Sequence, residues 1–317
     1  MDFTVFDYDE KGACVGKSEV GAEAISADIS ALDDEEMGVD APPPEGSDFE
    51  AQSGRTVKVH DPMSNVFGQR TGYISAQNGG QNEGGSCALI FNRIVATAAH
   101  VVLQPGLPTN TGSPIVVADP LGVEIFLGYP TRRDPATGLR PMLTGKKILI
   151  PTHYLRTQDP AFDFALVVTN ESTAPYGQGL GLYTNGIGED QHWVYSFGYP
   201  ERVPGRPNTV NSLPDLYECK TLGQLAAHHA PLRQFCAGNV PVQEQRHCVS
   251  LNNRVFMSSN NLTKGASGGP VMAYYLKNKR WYFAGVNAQS FGRLNGVFSP
   301  VLSTWTWDMV NLAKSLR

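Results

Sequence analysis

From Arg55 onward, apolar positions come in short runs separated by turn residues. Cys87–Phe91 is an apolar run of strand length, Asn92-Arg93 turns the chain, and Ile94–Thr97 returns it. Phe164–Val168 is a continuous apolar run of strand length. Trp193–Phe197 runs into a Gly198-Tyr199-Pro200 turn, and Val271–Tyr275 with Trp281–Val286 flanks Lys277-Asn278-Lys279 as a hairpin. Only near the end does the period change. Trp305, Met309, Leu312 and Leu316 recur at helical spacing, with Ser303 or Thr304 available as a cap. Many short strands with few helices predict an all-β protein built of barrels or sandwiches. No internal repeat is visible, and no apolar run is long enough to span a bilayer.

Residues 1–54 have a different texture. Ala22–Ile25 predicts a short helix, Asp33-Asp34-Glu35-Glu36 is an acidic run, and Pro42-Pro43-Pro44 followed by Gly46-Ser47 resembles a linker. The segment is expected to be an acidic pro-segment or a disordered tail. The charge count sharpens this division. Residues 1–50 hold 15 Asp and Glu against 2 Lys and Arg, so a net of −13 precedes a body of +8. The two parts are expected to attract each other, and the leader to act as a removable inhibitor. Basic side chains in the body are scattered, which argues against a nucleic-acid stripe.

Length and composition fit a two-part core plus an appendage: 317 residues, 41% apolar and 17% charged. The expected division is 1–54, a first barrel over 55–175, and a second barrel with the terminal helix over 176–317. Cys14 lies in the leader, leaving Cys87, Cys219, Cys236 and Cys248 in the body, the number for two disulfides. Secretion fits those cysteines. Yet Met1-Asp2-Phe3 opens no basic start or apolar core of a signal peptide, so an intracellular setting stays open.

Candidate chemistry starts at Lys264-Gly265-Ala266-Ser267-Gly268-Gly269-Pro270. A nucleophilic serine needs small neighbours, and its oxyanion needs backbone N–H donors, here those of Gly265 and Ser267. Alone, the run also fits a flexible turn. Two further elements change that. His100 follows an apolar strand and two alanines, in Thr97-Ala98-Ala99-His100, where small residues let the imidazole sit in a crowded cleft. Asp163 stands at the mouth of the apolar strand Phe164–Val168, where a buried acid can orient a histidine. Asp159 precedes a proline and is expected in the loop, while His60, His153 and His192 are expected as ordinary core histidines. The order His, Asp, Ser, with spacings of 63 and 104 residues, puts His100 and Asp163 in one barrel and Ser267 in the other.

On these motifs, with Ser196–Pro200 and Gly285-Val286-Asn287, the chain resembles the trypsin-like serine peptidases. It is most similar to their secreted microbial branch, which includes glutamyl endopeptidases. The resemblance covers roughly residues 54–302, and Gly54–Val59 is similar to the start of a mature enzyme there. It implies two antiparallel β-barrels of the chymotrypsin type, a serine endopeptidase acting on protein or peptide substrates, and no cofactor. A pseudoprotease serving as a binding module, or an esterase, is the rival on the same fold.

Departures from the family are specific. Ala266 stands where animal trypsins carry the acid that pairs with a freed N-terminus, so activation by that ion pair is not expected. Val101 and Glu83 stand where many relatives carry a disulfide, which leaves Cys87 without the family's partner. Asn261 occupies the place of trypsin's specificity acid, and Asn287 that of the histidine in glutamyl endopeptidases, so neither specificity transfers. Asn261, Leu262, Lys264, Asn287 and Gln289 are candidates to line the pocket, with plain strand roles as the alternative. Cys219, His228, His229, Cys236, His247 and Cys248 are zinc-ligand types, but their spacing fits no compact zinc pattern. A disulfide joining Cys248 to Cys219 or Cys236 is expected instead, and no metal site.

Overall fold

The computed structural model describes residues 1–9, 12–21, 39–41, 54–78, 81–103, 122–130, 138, 141–182, 192–201, 215–240, 248, 255–260, 262, 264–277, 279–291 and 296–317. Its strands in chain order begin with β1 (Phe3–Tyr8), β2 (Cys14–Val20), β3 (Thr56–Lys58), β4 (Thr71–Asn78), β5 (Gln81–Phe91) and β6 (Ile94–Thr97). A short helix α1 (Ala99–Val102) follows, then β7 (Val123–Leu127), β8 (Leu143–Pro151), helix α2 (Thr152–Thr157) and β9 (Ala165–Thr169). The second half holds β10 (His192–Gly198), β11 (Tyr217–Leu225), helix α3 (Ala230–Cys236) and β12 (Val255–Ser258). It ends with β13 (Pro270–Tyr275), β14 (Arg280–Val286), β15 (Gln289–Phe291), β16 (Gly296–Pro300) and helix α4 (Thr304–Ser315).

Two sheets result. In the first, β8, β7, β4, β5, β6 and β9 form a ring closed by antiparallel pairing of β8 with β9. In the second, the order is β14-β13-β10-β11-β12-β16-β15, with β3 paired to β11. The apolar runs explain the ring. Leu89, Ile90, Ile94, Val95, Leu166, Val167 and Val168 are all fully buried. Helix α4 is capped at Ser303, as its sequence predicts, through a reciprocal capping box with Thr306. It folds back on the first barrel, where Trp305 stacks against Phe162 and Phe164 and Trp307 against Phe91. Leaving β11 at its end, α3 carries Cys236, which is joined to Cys248. Cys219 and Cys87 are buried and form no disulfide, so of the two expected pairings of Cys248 the shorter one forms.

Residues 1–20 differ from the sequence expectation. Phe3–Tyr8 and Cys14–Val20 form a hairpin, and β1 pairs with β8 from Phe3↔Pro151 to Asp7↔Lys147. Phe3, Val5 and Phe6 lie in the core of the molecule. Composition misleads here because five acidic positions within residues 1–20 dilute a β-prone Phe-Thr-Val-Phe run. Val39 forms a bridge to Trp281 of the second sheet, with backbone bonds of 2.8 and 3.2 Å. The expected first barrel therefore gains this hairpin, and Thr56–Lys58 goes to the second sheet instead. The predicted helix at Ala22–Ile25, the acidic run and the triple proline lie outside the described residues. Ion pairs join Asp7 to Lys147, Glu19 to Arg156 at 3.4 Å and Asp40 to Arg280 at 2.9 Å. His60 and His153 are exposed rather than in the core.

Candidate active site

His100 sits on α1, directly after β6, and the fully buried Ala98 and Ala99 give its backbone room beside the core. Asp163 ends a single 3-10 turn, Pro160–Phe162, whose start Asp159 caps by accepting from the Ala161 N–H at 2.9 Å. Asp163 is completely buried. Its two oxygens divide the work: Oδ1 accepts from the His100 backbone N–H at 3.0 Å, and Oδ2 lies 2.8 Å from His100 Nδ1. An ionised carboxylate only accepts, so Nδ1 carries the proton, and Nε2 of the neutral ring is left with its lone pair. Tyr154, on α2, is buried. Burial first, and then the Asp163 charge, push the tyrosine pKa far up, so its proton stays in place.

The turn of Ser267 lies against the chain leading to His100. Gly268 has φ of +84°, and a Cβ there would stand 2.1 Å from Thr97 Oγ1 and 2.2 Å from the Ser86 carbonyl. Only glycine fits both demands. Gly265, at φ +92°, is equally constrained: a Cβ would lie 2.6 Å from the Tyr199 carbonyl.

Bonds made by carbonyl groups orient the two N–H groups of interest. Lys264 O accepts from Glu201 N at 2.7 Å, and Ala266 O from Gly269 N at 3.0 Å. In a trans peptide the N–H points opposite its C=O. The N–H groups of Gly265 and Ser267 are therefore turned away from those two partners. Neither donates to any described residue.

One residue organises this turn from across the molecule. Ser86 Oγ donates to Gly265 O at 2.8 Å and accepts from Tyr199 N at 2.8 Å. Ser86 N donates to Ser267 O at 2.7 Å, and Ser86 O accepts from Thr97 Oγ1 at 2.8 Å. The sequence does not single out Ser86, since its partners are remote along the chain.

No family model and no curated protein matches the chain. Solved structures do match. The Anisep protease of Arthrobacter nicotinovorans is 21% identical, covering 78% of this chain and 97% of its own, with a TM-score of 0.52. The thermostable serine protease AL20 of an extremophilic microorganism is 14% identical, with 78% and 98% covered and a TM-score of 0.55. A Glu endopeptidase is 14% identical, with 83% and 97% covered and a TM-score of 0.53. The fold is that of the chymotrypsin-type serine proteases. Identities this low carry the fold and not the activity.

Within this chymotrypsin-type fold the remaining predicted site residues spread out. Leu262 is buried with Tyr217, Cys219 and Ala266, directly behind the Ser267 turn. Asn287 is buried there too: its backbone bonds Gly268 N at 2.7 Å and Gly269 O at 2.9 Å, and its side-chain amide donates to Phe197 O at 3.0 Å. The side-chain carbonyls of Asn287 and Gln289 are buried, with no hydrogen-bond partner among the described residues. Lys264 instead reaches outward to Glu201 at 3.4 Å, with its side chain 82% exposed. Asn261 and His247 lie outside the described residues. Among the zinc-type residues, Cys236 and Cys248 are bonded to each other, and His229 caps α3 by accepting from Leu232 N at 3.2 Å.

Proposed function

We propose that the chain is a serine endopeptidase with His100, Asp163 and Ser267 as its triad and the N–H groups of Gly265 and Ser267 as its oxyanion hole. Ser267 Oγ attacks a peptide carbonyl and His100 Nε2 takes its proton. The tetrahedral oxyanion is held by the two N–H groups, and the proton passes to the leaving amine. Water then enters, loses its proton to His100, and releases the acyl group from Ser267. Asp163 fixes the tautomer and stabilises the imidazolium. The observation that carries this is the pair of hydrogen bonds between Asp163 and His100, made beside a serine turn whose Lys264, Gly265, Ala266 and Ser267 carbonyls each accept a hydrogen bond. The Cys236–Cys248 disulfide supports an oxidising, secreted setting. An inhibitory or precursor role for the leader would fall on residues outside the described ones, since Phe3–Val20 belongs to the barrel.

The test is reaction of the purified full-length protein with a fluorophosphonate, followed by peptide mapping. One adduct, on Ser267, is expected. Recovery of unmodified Ser267 under conditions that saturate a control serine protease would favour a binding module instead.

A further inference from the structure

Asn287 is tied to the turn that carries Ser267. Its carbonyl accepts from Gly268 N at 2.7 Å, and its N–H donates to Gly269 O at 2.9 Å. The side chain is buried, and its Nδ2 donates to Phe197 O at 3.0 Å. That bond fixes which way the amide faces. Turned over, Oδ1 would meet the Phe197 carbonyl, acceptor against acceptor. Oδ1 is therefore held as an acceptor, and it has no donor among the described residues. A buried acceptor without a donor is costly, and a ligand that brings the donor relieves the cost. The buried hydroxyls of Thr56 and Ser299 also lack partners among the described residues, but a hydroxyl can rotate toward one.

Gln289 repeats the feature two residues on. It opens β15 opposite Phe298, and the N–H of the intervening Ala288 donates to Phe298 O at 2.9 Å. Alternate residues of extended chain project to one side, which puts the Asn287 and Gln289 amides together. Oε1 of Gln289 is buried with no partner among the described residues. An amide that no bond fixes can turn over and present its N–H instead. The pair thus offers one fixed acceptor and one adjustable group.

Charge narrows the choice of ligand. The described carboxylates of the second half are Glu201, Asp215, Glu218 and Asp308. Glu201 pairs with Lys264, Asp215 pairs with Lys58, Glu218 accepts from the Tyr195 hydroxyl, and Asp308 lies on α4. A cationic side chain buried beside Asn287 would find none of them free to balance it. A carboxylate would set its own acceptors against Oδ1. A neutral group that both donates and accepts meets neither obstacle.

We propose that Asn287, assisted by Gln289, selects substrates whose residue before the scissile bond carries a primary carboxamide, glutamine or asparagine. The inference rests on the triad proposed above. The substrate amide donates an N–H to Asn287 Oδ1, and its carbonyl accepts from the turned amide of Gln289.

The full-length protein is assayed on peptide nitroanilides that differ only in the residue before the scissile bond: glutamine, asparagine, glutamate, lysine or leucine. Fluorophosphonate labelling, mapped to Ser267, is run in parallel. The better carboxamide substrate is expected to exceed each of the other three in kcat/KM by about tenfold to a hundredfold. In Asn287→Leu the ratio of that substrate to the leucine one is expected to fall below about twofold. The ratio is read rather than the rate, because the substitution also removes the bond to Phe197 O. Gln289→Met is expected to lower the same ratio by less, and it carries the test if Asn287→Leu does not fold. Labelling at Ser267 without the carboxamide preference overturns the proposal and leaves the triad reading standing. So does a carboxamide preference that the folded variants keep in full. A wild type that resists labelling at Ser267 defeats the triad reading, and this proposal with it.

Discussion

Ser86 spends its hydroxyl and both backbone groups on three separate segments, and that concentration makes it the most consequential residue outside the proposed triad. Replacing it with alanine would leave the buried Tyr199 N–H without its acceptor and Gly265 O without its donor. Each unmatched group costs about 1–3 kcal/mol. The cost falls on the turn whose carbonyl anchors aim the proposed oxyanion donors, so the peptide plane should loosen before the barrel does. Ser86→Ala is therefore expected to lower kcat by roughly tenfold to a hundredfold with a smaller change in KM. Steady-state kinetics alongside circular dichroism would check it, and an unchanged kcat in a folded variant would speak against the anchoring role. The motifs around His100, Asp163 and Ser267 stand out in the sequence because each brings its own small or ring-forming neighbours. Ser86 does not, because its meaning comes from Thr97, Tyr199, Gly265 and Ser267, none of which is its neighbour in the chain.

At the level of elements, the N-terminal hairpin shows how a strand can be hidden by its charge. Phe3-Thr4-Val5-Phe6 is buried at every position, so it lacks the in–out alternation that marks a half-exposed strand. The acidic residues around it dominate the composition of the whole segment. Its attachment is chiefly ladder bonds and apolar burial. The ion pairs at Glu19–Arg156 and Asp40–Arg280 are exposed, and pairs of that kind contribute about 0–1 kcal/mol each. Phe6→Ala is expected to destabilise the protein by about 3–5 kcal/mol, the usual cost of emptying a buried phenylalanine site. Urea unfolding of the variant and the wild type, each at low and at high salt, would measure both points. A loss below about 1 kcal/mol, or a hairpin released by salt alone, would contradict the structure given to this element. By contrast, strands such as β9 and β10 fall within a residue of their sequence-based positions, because apolar runs bounded by turns define them locally.

Across the whole molecule, both ends of the chain tie its halves together. The N-terminal hairpin extends the first sheet, and Val39 then bridges to the second; α4 leaves the second sheet and packs on the first. His100 and Asp163 come from the first barrel, Ser267 from the second, and Ser86 spans the seam. The two-barrel plan was legible because strand length and the His-Asp-Ser order are local signals. The crossing of the termini was not, because it depends on which edge strand is left open once the first barrel has closed. The account stands or falls on Ser267 as the nucleophile. The most direct measurement is hydrolysis of a protein substrate by purified wild type and Ser267→Ala at equal concentration, each shown to be folded by its thermal transition. The account predicts a loss on the order of 10⁴-fold or more with the transition retained. Hydrolysis by the folded Ser267→Ala protein at anything near the wild-type rate would contradict it.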